Sequence, residues 1–482
     1  MPATGPSRTC GIGLTVLVFV LLVSSVLYLR PLSSIQPFST RPHEPDWAHA
    51  SHDGEEPARK PQANVPYIQE EVKEIGEDTT HLLSPEQQAA AAKIVNSERL
   101  EIKSKITKNG KYLKVDFLGA HRGFNPSVIP HPYKTDPPTW LMIANKDLSQ
   151  ADMTYFNYQL VCEAEIRDDK MQCTKPPLTL PIASTSSHKC SQYGLDGAND
   201  VIGPHDARIF HGLEQPFVTW MTPSQYTCLG QYLQDARRLV PWDQYHAYTN
   251  DTADFFWPTE LRRPPPIDGV EKNFFLFWAA DGQAYIHHDI KSDHRVFAKL
   301  NTSDGVVGPD LAPLSAEKDS KCLTRLMPEL NLETKLEFIH QATNSLLVTT
   351  CNRSDPQCQR TDDNTFIMTL FQKKSFYGHG MYEPYIMLFK QTAPFEVVGI
   401  SSKSLWYNGR GRPEGEWQKD TWRPHGQTEM LFTTSMSWQS HDLTYHGHLD
   451  DVLFLTFGVE DKRGGILDVV VGDLIADLAY CD

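Results

Sequence analysis

The sequence predicts an all-β fold, a five-bladed β-propeller, because the same strand pattern recurs along the chain. Five short apolar runs are each introduced by polar or turn residues, and they lie about 65 to 90 residues apart. These runs are 124–130, 203–210, 271–278, 340–348 and 429–436. Further strand-like segments fill the gaps, at 139–143, 284–287, 385–389 and 452–457. Polar strand starts that converge on one axis are typical of a propeller.

Composition limits the classes of partner. The 482-residue chain is 40% hydrophobic and 10% aromatic, so it can bury a large core. Its net charge of -15 argues against a nucleic-acid partner, because phosphate backbones are bound by basic surfaces. The sequence contains no D-x-D, P-loop, G-x-S-x-G or G-x-G-x-x-G motif. We therefore predict no cofactor and no metal.

The N-terminus predicts a membrane anchor. Residues 10–29 carry no charge and are rich in Val and Leu, and about 20 such residues span a bilayer as a helix. The alternative is a cleaved signal peptide. With a retained anchor, residues 1–9 form a cytosolic tail and the rest lies in the lumen. This is a single-pass type II protein of the Golgi or another secretory-pathway membrane.

A tether and a helix are predicted before the propeller. Residues 30–80 mix prolines with acidic residues, which favours an extended, disordered stem. Residues 81–112 form a helical lead-in, with a capping box at 84–87 and a helix running towards Lys103. The propeller occupies 113–482.

Sequons and cysteines agree with a lumenal location. N-x-S/T sequons at Asn250, Asn301 and Asn352 all follow the anchor. The chain also carries eight cysteines downstream of the anchor. Spacing suggests hairpin disulfides within 162–173 and 351–358, although sequence leaves the connectivity open. These features indicate an oxidising compartment.

The segment after Gly203-Pro204 carries the first candidate site. His205, Asp206 and Arg208 stand together at the start of a predicted strand. Asp206 is the candidate proton donor or acceptor, and Arg208 has the planar fork that binds phosphate or carboxylate. The alternative is an Asp–Arg ion pair that fixes a loop.

The third run supplies a second candidate group. Glu271 is a possible second catalytic carboxylate, with Lys272 and Asn273 as substrate-binding residues. Strand alternation puts Glu271 and Asn273 on one face and Lys272 on the other. The alternative is a Glu–Lys pair at the rim. Asn125 in the first run and His340 in the fourth are further substrate-binding candidates.

Two later segments contribute further substrate-binding candidates. Arg410 lies in an aromatic, glycine-containing loop and could meet an anionic group. His446, His448 and Asp450 lie in a His- and Asp-rich segment whose spacing matches no strong metal-binding pattern. We interpret that segment as a loop that touches ligand.

Short motifs resemble a known group of enzymes. Asn125-Pro126, Asp206-x-Arg208, 271–273 and the ending 449–461 resemble blade motifs of five-bladed propeller glycosidases. The resemblance is greatest to the mannoside phosphorylase-like group and related β-mannosyltransferases, and it extends to an uncharacterised fungal membrane-anchored branch. In the phosphorylase group the motif reads Glu-Asp-Pro-Arg, and its Asp transfers the proton. The resemblance gives that role to Asp206, with His205 and Ala207 departing from the motif.

The sequence as a whole predicts a lumenal carbohydrate-active enzyme. The main expectation is a metal-independent glycosyltransferase of mannosyl type, with a glycan and a sugar phosphate or nucleotide sugar as substrates. Arg208 and Arg410 would hold phosphate, while Asn125, Glu271 and Asn273 would bind sugar hydroxyls. The alternatives are a glycoside hydrolase or phosphorylase on the same propeller, or a non-catalytic glycan-binding propeller.

Overall fold

A computed structural model describes most of the chain after the predicted stem. The described residues are 83–119, 121–146, 157–240, 254–413, 415–419 and 426–481. The predicted tail, anchor and stem and the Asn250 sequon lie outside them. No helix within these ranges has the length and apolar character needed to span a bilayer.

The lead-in helix starts where the sequence predicts. Helix α1 (Pro85–Val95) is preceded by Ser84, whose hydroxyl accepts a hydrogen bond from the backbone N–H of Gln87 at 3.2 Å. The Gln87 side chain accepts one from the Ser84 N–H at 2.9 Å, which completes the capping box. The helix does not reach Lys103, because strand β1 (Arg99–Ile102) pairs in parallel with 404–407 instead.

Most of the other strands in the described residues form five antiparallel meanders, each beginning near one of the five predicted runs. The first contains β3 (Gly123–Thr135), β4 (Pro138–Lys146), β5 (Gln159–Arg167), β6 (Lys170–Cys173) and β7 (Leu178–Thr179). The second contains β8 (His205–His211), β9 (Pro216–Pro223), β10 (Leu229–Asp235) and β11 (Thr259–Glu260). The third contains β12 (Phe275–Trp278), β13 (Ala284–Ile290) and β14 (Arg295–Lys299).

The fourth and fifth meanders are accompanied by short additional strands and helices. The fourth contains β15 (Glu337–Gln341), β16 (Leu346–Thr349), β17 (Thr365–Phe376), β18 (Gly380–Lys390) and β19 (Val397–Ser401). The fifth contains β21 (Leu431–Trp438), β23 (Val452–Val459) and β24 (Arg463–Val470). The added elements are β2 (Leu113–Asp116), α2 (Ala316–Leu326), β20 (Ser404–Tyr407), β22 (His446–His448), α3 (Val471–Leu474) and β25 (Leu478–Tyr480).

An N-terminal strand joins the first and last meanders. Strand β2 pairs antiparallel with β24, where Leu113 faces Ile466, and parallel with β6, where Val115 faces Met171. The resulting sheet runs from β21 through β2 to β3. The predicted all-β class is confirmed, while the count of five propeller blades stays a prediction.

Neighbouring meanders pack against one another through layers of buried hydrophobic side chains. One layer combines Ile129 and Ile143 of the first meander with Ile209 and Trp220 of the second. Another combines residues of β2, β4, β23 and β24. The largest surrounds Phe277, which contacts aromatic rings of three other segments. Burial of these faces fixes the sheets against one another.

The first strands of several meanders are linked by polar side chains. The N–H of Ile209 in β8 donates to Ser127 Oγ in β3 at 2.9 Å, and Thr434 Oγ1 in β21 donates to the carbonyl of Pro126. Asn344, between β15 and β16, exchanges two 3.0 Å hydrogen bonds with the backbone of Met436. These buried bonds hold the starts of the first strands close together.

Both suggested hairpin disulfides are present. Cys162 pairs with Cys173, and Cys351 pairs with Cys358. The other two bridges join 190 with 228 and 322 with 481. The last bridge ties helix α2 to the end of the chain.

Candidate active site

A cavity lies between the start of β8 and the segment before β12. The empty space there is about 290 Å³, much of which is open to solvent. Four predicted site residues line it, namely Asp206, Arg208, Lys272 and Asn273. The other lining residues are Thr219, Trp220, Met221 and Gln231.

Two asparagines hold the carboxylate of Asp206. Its Oδ1 accepts hydrogen bonds from Asn145 Nδ2 at 2.5 Å and from Asn125 Nδ2 at 3.2 Å. The backbone N–H of Asp206 donates a hydrogen bond to Asn145 Oδ1 at 2.9 Å, so Asn145 binds both the backbone and the side chain of Asp206. The β8–β9 register shifts between His205 and Arg208, which frees this backbone from regular pairing. Asp206 is therefore fixed in orientation on the cavity wall.

A left-handed backbone recurs at three strand starts around the cavity. Asn125 and Asp206 each have φ of +49°, and Asn273 has φ of +61°. Asn and Asp tolerate this region better than most residues, because their short side chains hydrogen-bond locally. Such conformations cluster at functional sites. The three residues interrupt strand alternation where polar groups meet the cavity.

Asp461 supplies a second carboxylate beside Asp206. It lies in the turn between β23 and β24, and its Oδ1 is 3.5 Å from Asn125 Nδ2. The two carboxylate oxygens that share this nitrogen are thus within about 7 Å of each other, and of the two residues only Asp206 lines the cavity. Desolvation by the surrounding protein, followed by repulsion from Asp206, raises the pKa of Asp461 to about 6.

Cationic groups face this pair of acids. Arg208 donates to the carbonyl of Ala342 and, through Nη2, to Asn273 Oδ1 at 2.8 Å. Burial and then repulsion from Lys374 lower the pKa of Lys272 to about 7, while Asp461 acts in the opposite sense. Lys374 itself is buried in β17. Arg208 and Lys272 therefore line the cavity with Asp206, while Lys374 and Asp461 lie close enough to act electrostatically on Lys272.

The two predicted histidines near the cavity are held neutral. Burial, followed by repulsion from Lys272 and Lys374, lowers the pKa of His340 to about 3. Burial also lowers the pKa of His205, whose Nε2 lies 3.1 Å from Asn157 Nδ2. At neutral pH each ring can offer one donor and one acceptor without adding charge.

Glu271 is not brought to the cavity with Asn273. Its carboxylate accepts a hydrogen bond from the N–H of Asp268 at 2.7 Å and lies 3.4 Å from Arg263. Alternation fails here because β12 begins only at Phe275 and Asn273 has a left-handed backbone. Lys272 and Asn273 both line the cavity instead. Burial, partly offset by the Asp268 N–H and Arg263, raises the pKa of Glu271 to about 7.

Arg410 has a different set of partners from those predicted. It is buried, 3.2 Å from Glu383 Oε1, and donates to the carbonyl of Glu429 and to Thr428 Oγ1. Its guanidinium also lies over the ring of Trp406, 5.0 Å from the centroid. These contacts give the Arg410 guanidinium a structural role. Arg410 is not among the residues that line the cavity.

The His- and Asp-rich segment packs on the Cys351–Cys358 hairpin. His446 Nε2 lies 2.8 Å from Thr349 Oγ1, and the His448 ring is 4.9 Å from the His446 ring. Asp450 accepts hydrogen bonds from the backbone N–H groups of 353 and 354. These three residues do not join Asp206 in the cavity. Within the described residues, no group of three or more His, Cys, Asp and Glu could hold a metal.

Two sequons lie in exposed turns. Asn301 and Asn352 are both exposed, and the side-chain oxygen of Asn301 accepts a hydrogen bond from the N–H of Ser303 at 3.2 Å. Their glycosylation stays a prediction.

Sequence reasoning did not select three residues of the site. Asn145 lies near the end of β4, Lys374 lies inside β17, and Asp461 occupies a turn. The Glu-Asp pair at 460–461, between two apolar strands, was a usable signal for a polar hairpin tip. A lysine within a strand carries no comparable signal.

Comparisons with known proteins give distant structural similarities only. No protein-family profile and no curated protein sequence matches this chain. The fold is similar to MPT-4, a mannose phosphorylase from Leishmania mexicana, at 10% identity and a TM-score of 0.38, covering 82% of this chain and 95% of that one. It is similar to a β-1,2-mannobiose phosphorylase from Listeria innocua at 10% identity and a TM-score of 0.39, covering 78% of this chain and 96% of that one. It is also similar to the Bacillus subtilis arabinanase Arb43A at 8% identity and a TM-score of 0.32, covering 73% of this chain and 95% of that one.

Proposed function

We propose that this chain is a carbohydrate-active enzyme that transfers a glycosyl unit between a glycan and a phosphate group, as a glycoside phosphorylase does. The observation that carries the proposal is that Asp206, bridged by Asn125 to Asp461, lines one cavity with Arg208 and Lys272. Acids alone suit hydrolysis, and cations alone suit anion binding. Their combination suits transfer to or from a phosphate.

The cations give the phosphate a place to bind. Arg208 is fixed by Asn273 and Ala342, which leaves the rest of its planar fork to meet an oxyanion. Burial, followed by repulsion from Lys374, lowers the pKa of Lys272 to about 7. An anion bound beside Lys272 in the cavity would favour its charged form. This effect provides a driving force for binding phosphate.

The polar wall suits the sugar. Amide groups of Asn125 and Asn145 contact Asp206, the Asn273 amide contacts Arg208, and amides both donate to and accept from hydroxyl groups. Trp220 also lines the cavity, so its indole ring adds an apolar surface beside the polar groups.

The reaction follows from these positions. In the direction of cleavage, a phosphate oxygen attacks the anomeric carbon while the glycosidic carbon–oxygen bond breaks. Asp206 gives its proton to the departing oxygen, so the products are a sugar phosphate and a shortened glycan. Arg208 and Lys272 orient the phosphate and balance its charge. Asp206 then regains a proton from solvent.

A second candidate is the mannosyl transferase expected from the sequence. Two cations that line the cavity, Arg208 and Lys272, also suit the diphosphate of a nucleotide sugar, with Asp206 taking the proton of the acceptor hydroxyl. Both candidates use the same residues and differ in the phosphate-bearing partner.

The architecture and location belong to the same proposal. We propose that the five meanders are five propeller blades, closed by the pairing of β2 with β24. Four disulfides and the exposed sequons at Asn301 and Asn352 support a secretory-pathway lumen, with residues 10–29 as the anchor.

The test uses the purified full-length chain with manno-oligosaccharides, in the presence and absence of phosphate. Phosphate-dependent release of a sugar phosphate supports phosphorolysis, whereas transfer from a nucleotide sugar supports the second candidate. Asp206→Asn should abolish either activity, and Trp257→Ala, at a strongly exposed position, serves as the matched control. Free sugar without sugar phosphate indicates hydrolysis. Glycan binding without turnover contradicts the enzymatic proposal.

A further inference from the structure

A strip of four aromatic rings extends from the cavity to the protein surface. The Arg208 guanidinium lies 5.5 Å from the centroid of Phe432, which is 5.1 Å from the ring of Tyr382. Tyr382 is 6.4 Å from the His340 ring, and His340 is 6.5 Å from Phe338. The aromatic strip, defined as Phe338, His340, Tyr382 and Phe432, is therefore continuous with the cavity through Arg208.

The strand register explains this continuity. Phe338 in β15 faces Lys374 in β17, and Lys374 faces Tyr382 in β18. These three residues form a cross-strand row on one sheet face, and His340 lies on the same face two residues after Phe338. The Lys374 ammonium is 5.7 Å from the Tyr382 ring centroid, so a cation of the site lies inside the row.

Phe338 is the outermost and most accessible ring of the strip. It is 48% exposed, whereas Tyr382, His340 and Phe432 are partly buried. The Arg208 cation lies over Phe432 and the Lys374 cation over Tyr382. A large aromatic side chain exposed at the end of a row that leads into a cavity is a natural platform for a ligand.

We propose that Phe338 stacks on a sugar unit of the glycan beyond the bond that reacts, so that the enzyme acts on oligosaccharides rather than on small glycosides. This inference rests on the proposed function. The apolar face of a sugar ring can pack on Phe338 while its hydroxyl groups meet the neighbouring Lys374 and His340. The alternation of rings and hydrogen-bonding groups matches a glycan, which presents both surfaces at each unit.

The rings themselves argue against a nucleobase clamp. The interplanar angles are 90° between Phe338 and His340 and 81° between His340 and Tyr382. The exposed end of the strip therefore offers no pair of parallel rings between which a base could be sandwiched. A single platform with polar neighbours suits a sugar unit better.

The experiment measures binding rather than turnover. Full-length Asp206→Asn protein is titrated with manno-oligosaccharides of two, three and four units, and with a nucleoside diphosphate. Adding Phe338→Ala should weaken binding of the longer glycans roughly 3- to 10-fold and leave the disaccharide nearly unchanged. Phe338→Trp should restore the length preference. Trp257→Ala, which removes another exposed aromatic ring, should have no effect.

The outcomes separate this inference from the proposed function. Length-dependent binding that Phe338→Ala removes supports the stacking role even if wild-type protein turns over nothing. Wild-type turnover with binding that is indifferent to Phe338 overturns the inference and leaves the function standing. Equal losses for all glycan lengths, or weaker binding of the nucleoside diphosphate alone, also overturn it.

Discussion

The side-chain amide of Asn125 lies between two carboxylates, with Nδ2 3.2 Å from Asp206 Oδ1 and 3.5 Å from Asp461 Oδ1. The three residues come from different meanders, at the starts of β3 and β8 and in the turn after β23. One donor thus holds two like charges at a defined separation. This relationship makes the carboxylate pair a unit, and the first prediction tests it.

Asn125→Ala should lower kcat/KM roughly 10- to 100-fold, because both carboxylates lose a shared donor. The Asn125 hydrogen bond lowers the pKa of Asp461, so its loss should raise that pKa further above about 6. The limb of the pH–rate profile set by the coupled pair Asp206 and Asp461 should then move to higher pH. Asn109→Ala, in an exposed loop, is the control. An unchanged pH profile in Asn125→Ala would contradict the bridging role.

Gly458→Ala should reproduce the Asn125→Ala defect from a residue outside the cavity lining. A Cβ at Gly458 would lie 1.7 Å from Asn125 Oδ1, so the asparagine side chain must move away from both carboxylates. The double variant should be no worse than either single one, since both remove the same interaction. Gly308→Ala is the matched control, because its nearest contact would be an ordinary 3.8 Å. Additive losses in kcat/KM would show that Gly458 acts independently.

Anion binding should weaken as the pH rises through about 7. The pKa of Lys272 is lowered to about 7, chiefly by burial, so Lys272 loses its positive charge above that pH. Sulfate is a suitable probe because its own charge is constant over this range. Affinity measured by titration should fall several-fold between roughly pH 6 and 8.5. Lys272→Arg should flatten this dependence, since arginine stays protonated. A flat wild-type profile would refute the assignment.

Glu271→Gln should change stability and spare catalysis. The pKa of Glu271 is raised from 4.5 to about 7 in the folded state. Between these two pH values the folded protein therefore keeps a proton on Glu271 that the unfolded chain has lost. Its contribution to stability is therefore present below pH 4.5 and is lost as pH rises towards 7. Denaturant unfolding at several pH values should show a decline of up to about 3 kcal/mol that the Gln variant lacks.

Activity provides the second half of that prediction. Because Glu271 contacts Asp268 and Arg263 and does not line the cavity, Glu271→Gln should keep kcat/KM within roughly threefold of wild type. A loss comparable to that of Asp206→Asn would return Glu271 to a catalytic role.

The sequence determined the local parts of this protein. Short apolar runs placed β4, β13, β18 and β23, because such runs are typical of strands that are buried on both faces. The Ser84 capping box placed the start of α1, and short spacing indicated the Cys162–Cys173 and Cys351–Cys358 bridges. Polar residues at strand starts identified Asn125, Asp206, Arg208, Lys272 and Asn273 as neighbours of one cavity. Each of these signals depends on residues close together in the chain.

Only the tertiary structure decided which charges meet. Asp461 reaches Asn125 across 336 residues, and Lys374 reaches the site because its strand packs beside Lys272. Glu271 carries a carboxylate and Arg410 a guanidinium, as the predicted site requires. They form ion pairs with Arg263 and Glu383 instead of lining the cavity. Alternation also failed at Asn273, where a left-handed backbone turned Lys272 into the cavity. Electrostatic pairing depends on distances in space, and a sequence pattern fixes these only within a single strand or turn.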